Sequence, residues 1–247
     1  MKIATRSVIL ALSTVFSVAT LATAQTGDAP PTADGVVTRM LQQDAQRKAQ
    51  LTGYTATRHY VAVNEQRKAE MLVEVTCASN GEKQFNIVSE EGSSAIRKHV
   101  FYKMLKEETD ASRRSTSSST HITPDNYQFQ LVGKDAIDGR PAYLLQITPK
   151  EDSKYLIDGK IWIDAADYSI VRIEGSPARN PSFWTHNVRF VHTYQKVGPF
   201  WFAASTHSLS EIRIFGDAEL TIENSNYTLS PSDNHMAKAE YPVGLRR

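Results

Sequence analysis

The sequence predicts a mainly β fold of α+β type. About ten antiparallel strands, joined mostly by short turns, curl into a barrel or half barrel, and two amphipathic helices cover it. Three observations predict this. From Tyr143 to Glu174 apolar residues alternate with polar ones, with Tyr143, Leu145 and Ile147 set against Leu144, Gln146 and Thr148. Ile161-Trp162-Ile163 then runs into Asp164-Ala165-Ala166-Asp167, and the chain returns through Ile170, Val171 and Ile173. Period-2 patterning rich in β-branched and aromatic residues, punctuated by turn residues, is the mark of successive antiparallel strands. Similar runs fill most of the chain between Tyr54 and Leu229. Up-and-down connectivity at this strand number bends a sheet toward closure.

The elements follow in order. Asp34 is the expected N-cap of a first helix, whose apolar face is Val36, Val37, Met40, Leu41, Ala45 and Leu51 and whose stop is Gly53. Tyr54 to Val63, Lys68 to Ala78 and Lys83 to Ser89 read as a three-stranded meander, with Asn80-Gly81 as a hairpin turn. Ser93 or Ser94 opens a second helix through Ile96, Val100, Phe101, Met104 and Leu105. A Ser/Thr run from Arg113 to Thr120 reads as a mobile loop, so this insertion is either a lid or a plug for one end of the sheet. Strands resume at Tyr127, turn at Asp138-Gly139 and pass through Tyr143 to Glu174. After Pro177 to Pro181, long strands are expected over Phe183 to Lys196, Phe200 to Ile212 and Ala218 to Leu229.

The chain has 247 residues, 28 of them basic and 27 acidic, a balance that gives no reason to expect a nucleic-acid partner. Met1 to Arg6 is a short basic region, Val8 to Leu21 an apolar run, and Ala22-Thr23-Ala24 a small-residue cleavage site. Residues 1–24 therefore read as a secretory signal peptide cut after Ala24, the run being shorter than the roughly 20 residues needed to span a bilayer. Gln25, not Cys, follows the cut, so lipidation at that point is not expected. Residues 25–33 read as a disordered leader, 34–229 as one domain and 230–247 as a loosely attached tail. The expected product is a monomer in the periplasm. Cys77 is the only cysteine, which leaves no internal disulfide; its place in the run Ala69, Met71, Val73, Val75, Cys77 makes it a buried small side chain.

No nucleophile elbow, zinc-helix motif or phosphate loop is present, so no catalytic residue, metal or cofactor is assigned. His186, His192 and His207 fall on neighbouring strands but lack a metal-ligand spacing, and the turn at Asp164 and Asp167 reads as solvated. The aromatic residues of the second half carry more. Trp162, Phe183, Trp184, Phe190, Tyr194, Phe200, Trp201 and Phe202 fall on neighbouring strands. They make either an ordinary core or the wall of an apolar cavity. The candidate ligand-binding residues are Trp162, Trp184, Phe190, Tyr194 and Trp201. Arg172 is the polar candidate among them; Arg58 shares its setting, and each either orients a ligand or faces solvent.

Several segments carry a resemblance: Leu51 to Arg58 after the first helix, the hairpin Ile137 to Lys150, Gly159-Lys160-Ile161-Trp162-Ile163-Asp164, and Ile170 to Gly175. Over roughly Val36 to Leu229 the chain resembles bacterial outer-membrane lipoprotein-sorting proteins of the LolA/LolB-like superfamily, and the sensor domain of the RseB regulators that shares their fold. The resemblance implies a half-open barrel closed by helices. It also implies an apolar interior that holds acyl chains, and a role in carrying a lipid or lipidated protein across the periplasm. The segment Pro177 to Trp184 and the long strands after it fit a variant branch better than the classical carrier. No gating arginine aligns, so no functional residue is carried over. Two readings follow: a carrier or chaperone for a lipid or lipoprotein acyl chain, without covalent chemistry, or an envelope regulator or scaffold that binds another protein. A hydrolase is the third and has no constellation behind it.

Overall fold

The computed structural model describes residues 31–113, 120–183, 185–213 and 216–230. The expected signal peptide, most of the leader, residues 114–119 of the Ser/Thr run, Trp184 and the tail from 231 onward lie outside the described residues.

Among the described residues the chain forms one ten-stranded antiparallel sheet, open at its edges, with helical segments laid on it. The strands are β1 (Gly53–Asn64), β2 (Lys68–Ala78), β3 (Lys83–Gly92), β4 (Tyr127–Ile137) and β5 (Arg140–Pro149). They continue as β6 (Ile157–Asp164), β7 (Ile170–Pro177), β8 (Thr185–Val197), β9 (Phe200–Ile212) and β10 (Gly216–Leu229). The order across the sheet is β3-β2-β1-β10-β9-β8-β7-β6-β5-β4. The first and last strands therefore pair, Tyr54 opposite Leu229, and the open seam falls mid-chain between β3 and β4. That is where the helical insertion leaves the sheet. Sequence patterning finds every strand, but β8 begins at Thr185 rather than Phe183.

Register shifts interrupt five of the nine strand pairings. Bulges add local twist and bend, which curls a long meander without closing it. Asn187 and Asn226, each at such an interruption, take positive φ of 49° and 54°, a conformation that asparagine adopts more readily than most residues. Gly159 faces Gly175 across β6 and β7, and a Cβ on Gly159 would sit 2.0 Å from the Glu174 carbonyl oxygen. The two strands can approach this closely only without side chains there.

Helix α1 (Ala33–Gln50) covers one wing of the concave face. Its cap is Thr32, not Asp34: the Thr32 hydroxyl accepts from the Gly35 N–H at 3.1 Å. Val36, Val37 and Met40 pack on Tyr127, Leu145, Ile147, Ile161, Ile163 and Ile173 of β4 to β7. Each buried aliphatic side chain contributes roughly 1.5–3 kcal/mol. Gly53 opens β1 just past the helix with φ 122°, where a Cβ would come within 2.6 Å of the Cys77 carbonyl.

The insertion covers the other wing. It runs as α2 (Ser94–Ile96), a π-helical turn (Arg97–Phe101) and α3 (Tyr102–Arg113). Phe101 and Leu105 pack on Tyr60, Ala62, Ala69, Met71, Val73 and Ile222 of β1, β2 and β10. The alternating run ending in Cys77 is buried throughout, and Cys77 itself is a free, buried thiol.

The convex face is mostly polar, apart from an apolar cluster of Ala142, Trp162 and Val171. Glu70 bridges His59 and Lys68, His207 pairs with Glu219, and Thr193 bonds Ser205. Among the described residues no helix is long and apolar enough to cross a membrane.

Candidate functional site

The two wings are covered, and a hollow remains on the concave side beneath the C-terminal half of α1. It has a volume of about 310 Å³, at the small end of the roughly 300–1,000 Å³ typical of ligand pockets. Met40 and Leu41 line it from α1, Ile122 from the segment before β4, Ile170 and Ile173 from β7, and Tyr194 from β8. Met40 and Leu41 fall on the apolar stripe of α1, and Ile173 and Tyr194 on the concave phase of their strands; the register shift at Trp162/Ile163 sets Ile170 opposite Ile163 and so brings it to the same face. Burial pushes the Tyr194 phenol up to about 12, so it stays neutral.

The rim is built by the turn between β6 and β7. Asp164 is buried, contrary to the solvated turn expected for it. Its Oδ1 accepts from the N–H groups of Ala166 and Asp167, and its Oδ2 accepts from Arg140 at 2.7 Å. These bonds account for a buried carboxylate at this turn without any metal. Asp167 lies at the rim. Burial raises its pKa, but hydrogen bonds from Lys196, Trp201 and the Ser169 N–H outweigh that and hold it at about 2. Tyr168 sits in the left-handed region, φ 56°, an uncommon place for an aromatic residue. Its hydroxyl accepts from Arg39 at 2.7 Å, and its ring stacks on Tyr143.

Two polar groups at this end are incompletely satisfied. Ser169 is 3% exposed, and its Oγ has no hydrogen-bond partner although it lines the hollow. Arg47 donates at 2.9 Å to the Asp167 carbonyl and, among the described residues, is in no ion pair with a carboxylate. Lys48 beside it is bridged to Asp44 at 2.7 Å. A second hollow of about 430 Å³ meets the first at Asp44, Arg47, Lys48 and Trp201 and continues toward Tyr54, Cys77 and Phe202.

The candidate residues named from the sequence separate. Tyr194 and Trp201 line the first hollow, and Phe190 packs on the apolar cluster behind it. Trp162 and Arg172 are not among its lining residues. Trp162 alternates away from Ile161 and Ile163; its indole N–H donates to Asp135 at 2.8 Å, and Arg172 lies over its ring while pairing with Glu174. Trp184 is outside the described residues. The other aromatics do not gather in one cavity either. Phe183 is 66% exposed under the Arg213 guanidinium, and Phe200 and Phe202 pack with Tyr54 and Tyr227. Phe200, Trp201 and Phe202 do come together, but along the second hollow rather than the first. The three histidines also diverge. His192 meets Thr206 on the concave side, His207 pairs with Glu219, and His186 bonds Asn180 and Arg213.

Sequence patterning leaves a second feature open. Arg58 is buried on the concave face. Its Nε donates to Asn224 Oδ1 at 2.7 Å, its Nη1 to the Tyr60 hydroxyl at 3.1 Å and to Glu108 Oε2 at 2.6 Å. Lys83 donates to Glu108 Oε1 at 2.7 Å. Burial raises the Glu108 pKa, but Lys83 and Arg58 outweigh it and hold the carboxyl below its ordinary value. Glu108 stands on α3 and its two partners, Arg58 and Lys83, on β1 and β3, while Arg58 also bonds Asn224 on β10, so the network latches the insertion to the sheet.

Residues 64–175 match the family model described as the MucB/RseB N-terminal domain, which supports the LolA/RseB-like resemblance over that stretch. No curated protein matches. Among solved structures the chain is similar to a DUF1329 family protein from Desulfovibrio piger, at 10% identity over 83% of this chain and 97% of that one, with a TM-score of 0.42. A putative outer membrane lipoprotein-sorting protein domain from Vibrio parahaemolyticus matches at 11% identity over 83% and 97%, TM-score 0.41. The complex of Pseudomonas aeruginosa MucA and MucB matches at 11% identity over 79% and 99%, TM-score 0.25.

Proposed function

We propose that the protein is a non-enzymatic carrier of the cell envelope that shelters the acyl chain of a lipid or lipidated protein in the hollow beneath α1. The observation that carries this reading is the hollow itself: apolar walls from Met40, Leu41, Ile122, Ile170, Ile173 and Tyr194, with polar groups gathered at one rim. That division suits an amphiphile, since each buried methylene contributes about 0.8 kcal/mol. The export pattern of residues 1–24 supports an envelope location. The insertion from Ile96 to Leu105 is the element that would open or close the concave face. The test is organic extraction and mass spectrometry of protein purified from the periplasm without detergent. One acyl-bearing molecule per chain is the expected result. Protein that comes out empty and also fails to bind an apolar fluorophore would sink the reading.

A second reading, an envelope regulator or scaffold that binds another protein, is favoured by the family model matched at residues 64–175. The open edges β3 and β4, with Val88 and Val132 exposed on them, suit a partner that adds a strand. Cross-linking in the periplasm followed by purification tests it: one stoichiometric protein and no lipid would favour this reading over the first.

A further inference from the structure

We propose that the rim of the hollow beneath α1 is an anion site, so that the ligand is an amphiphile with one apolar chain and a carboxylate or phosphate head, held by Arg47 and Ser169. This deepens the carrier reading and rests on it.

Three observations converge on one place. Ser169 Oγ is buried, lines the hollow and has no partner. A buried hydroxyl left unpaired costs roughly 1–3 kcal/mol, which an acceptor on a ligand would remove. Arg47 lines the same hollow and is anchored to the same turn, through the carbonyl of Asp167 two residues before Ser169. Its hydrogen bond to that carbonyl is to a neutral acceptor and uses one of five N–H donors. The nearby carboxylates are already engaged, Asp44 by Lys48 and Asp167 by Lys196 and Trp201. Arg47 is thus the cation of this rim whose charge no carboxylate of the described chain answers. A guanidinium and a hydroxyl donor lining one hollow supply donors for the oxygens of a carboxylate or phosphate.

The size of the hollow narrows the tail. At about 310 Å³ it suits a single chain. The neighbouring hollow joins it only at Asp44, Arg47, Lys48 and Trp201, so it is reached past the polar rim rather than through the apolar wall. A free fatty acid and a lysophospholipid both present this chemistry; they differ in the size and charge of the head.

The experiment is displacement of a bound apolar fluorophore from the full-length protein by four twelve-carbon probes: dodecanoate, dodecyl phosphate, dodecanol and dodecyltrimethylammonium. The two anions are expected to bind about tenfold or more tighter than the alcohol, the usual scale of a charge-assisted hydrogen bond, with the cation weakest. Dodecanoate tightest points to a fatty acid, and dodecyl phosphate tightest to a phosphate head. Arg47→Gln is expected to weaken both anions by about tenfold or more and dodecanol far less; Ser169→Ala weakens the anions by a smaller factor. Arg47 stands in the last turn of α1, and thermal unfolding reports whether each variant is folded. Equal affinity for alcohol and anion, unchanged by Arg47→Gln, overturns the anion site and leaves the carrier reading standing. Failure of all four probes to displace the fluorophore, or of the fluorophore to bind, overturns the carrier reading itself and the anion site with it.

Discussion

Helix α1 rests on β4 to β7 through Val36, Val37 and Met40, and its polar bonds, Arg39 to the Tyr168 hydroxyl and Arg47 to the Asp167 carbonyl, reach the turn after β6. Helix α3 also contributes an apolar side chain, Leu105, next to Phe101 of the π-helical turn, but it adds Glu108, bonded to Arg58 and Lys83 in the interior. The difference is a buried ion pair between helix and sheet. Apolar contact is set by area and shape, so α1 can leave a hollow beneath its C-terminal half at modest cost. A buried ion pair is worth having only in one geometry, because desolvated charges that lose their partners are heavily penalised. The α1 contact therefore tolerates a hollow beneath it, and the α3 contact is sound only while its buried ion pair is complete.

The sharpest way to break this comparison is Arg58→Ala. It removes the partner that Glu108 shares with Lys83 and leaves Asn224 and Tyr60 without their donor. The expected loss is about 3 kcal/mol, the lower part of the range for breaking a buried pair, because Lys83 still answers Glu108. Urea unfolding measures it. Arg58→Met combined with Glu108→Leu is expected to recover most of the loss, since apolar replacements carry no desolvation penalty. A loss below about 1 kcal/mol in the single variant would make the network ornamental and erase the contrast between the wings.

On the α1 side the matching change is Met40→Ala. Met40 is both core and cavity wall. Truncation is expected to cost about 2–3 kcal/mol and to enlarge the hollow. The same variant should bind an apolar fluorophore at least as well as the parent, whereas Arg58→Ala should leave that affinity unchanged if the two wings act separately. Loss of fluorophore binding in Met40→Ala would mean that α1 does not cover the ligand site.

These two sets of residues were not equally legible in the sequence. The strands, the stripe of α1 and the buried run to Cys77 follow from period alone, since period decides which face a side chain takes. The aromatic pattern points to Tyr194 and Trp201 as ligand-binding candidates, and both line the hollow. It points equally to Trp162, yet the place of Trp162 one residue from Ile161 and Ile163 sends it to the other face. The latch carries no local signal: Arg58, Lys83 and Glu108 come from β1, β3 and α3, and each reads singly as a surface charge. Ser169 and Arg47 are hidden for the same reason, since a serine after a turn and an arginine on a helix are ordinary until the fold sets both against one cavity. Asp164 looked like a solvated turn residue because its acceptors are filled by N–H groups that only the folded turn presents.

Acid acts on both wings and gives an effect of intermediate size. The Glu108 carboxyl is held below its ordinary value and that of Asp167 at about 2. A carboxylate with a depressed folded pKa contributes stability that is fully present above its unfolded pKa and is lost as pH falls through the folded one. Stability should therefore be flat through neutrality and decline below the ordinary carboxylate range, toward about pH 2 for Asp167. Asp167→Asn should flatten the part of that decline that runs toward about pH 2, and Glu108→Gln should also reduce the decline. A decline that neither variant alters would place the acid-sensitive groups elsewhere in the chain.

The smallest effect separates the two helix starts. Thr32 accepts the Gly35 N–H and caps α1, while the side chain of Ser93, in the equivalent place before α2, makes no capping bond. Thr32→Ala should lower stability by about 1 kcal/mol, the usual cost of losing a cap. Ser93→Ala should be close to neutral, because the insertion is anchored from within by Phe101 and Glu108 rather than from its first turn. Thermal unfolding of the two variants side by side measures the difference. Equal losses would mean that the first turn of the insertion carries its own stability, and the latch would then be one anchor among several rather than the feature that distinguishes that wing.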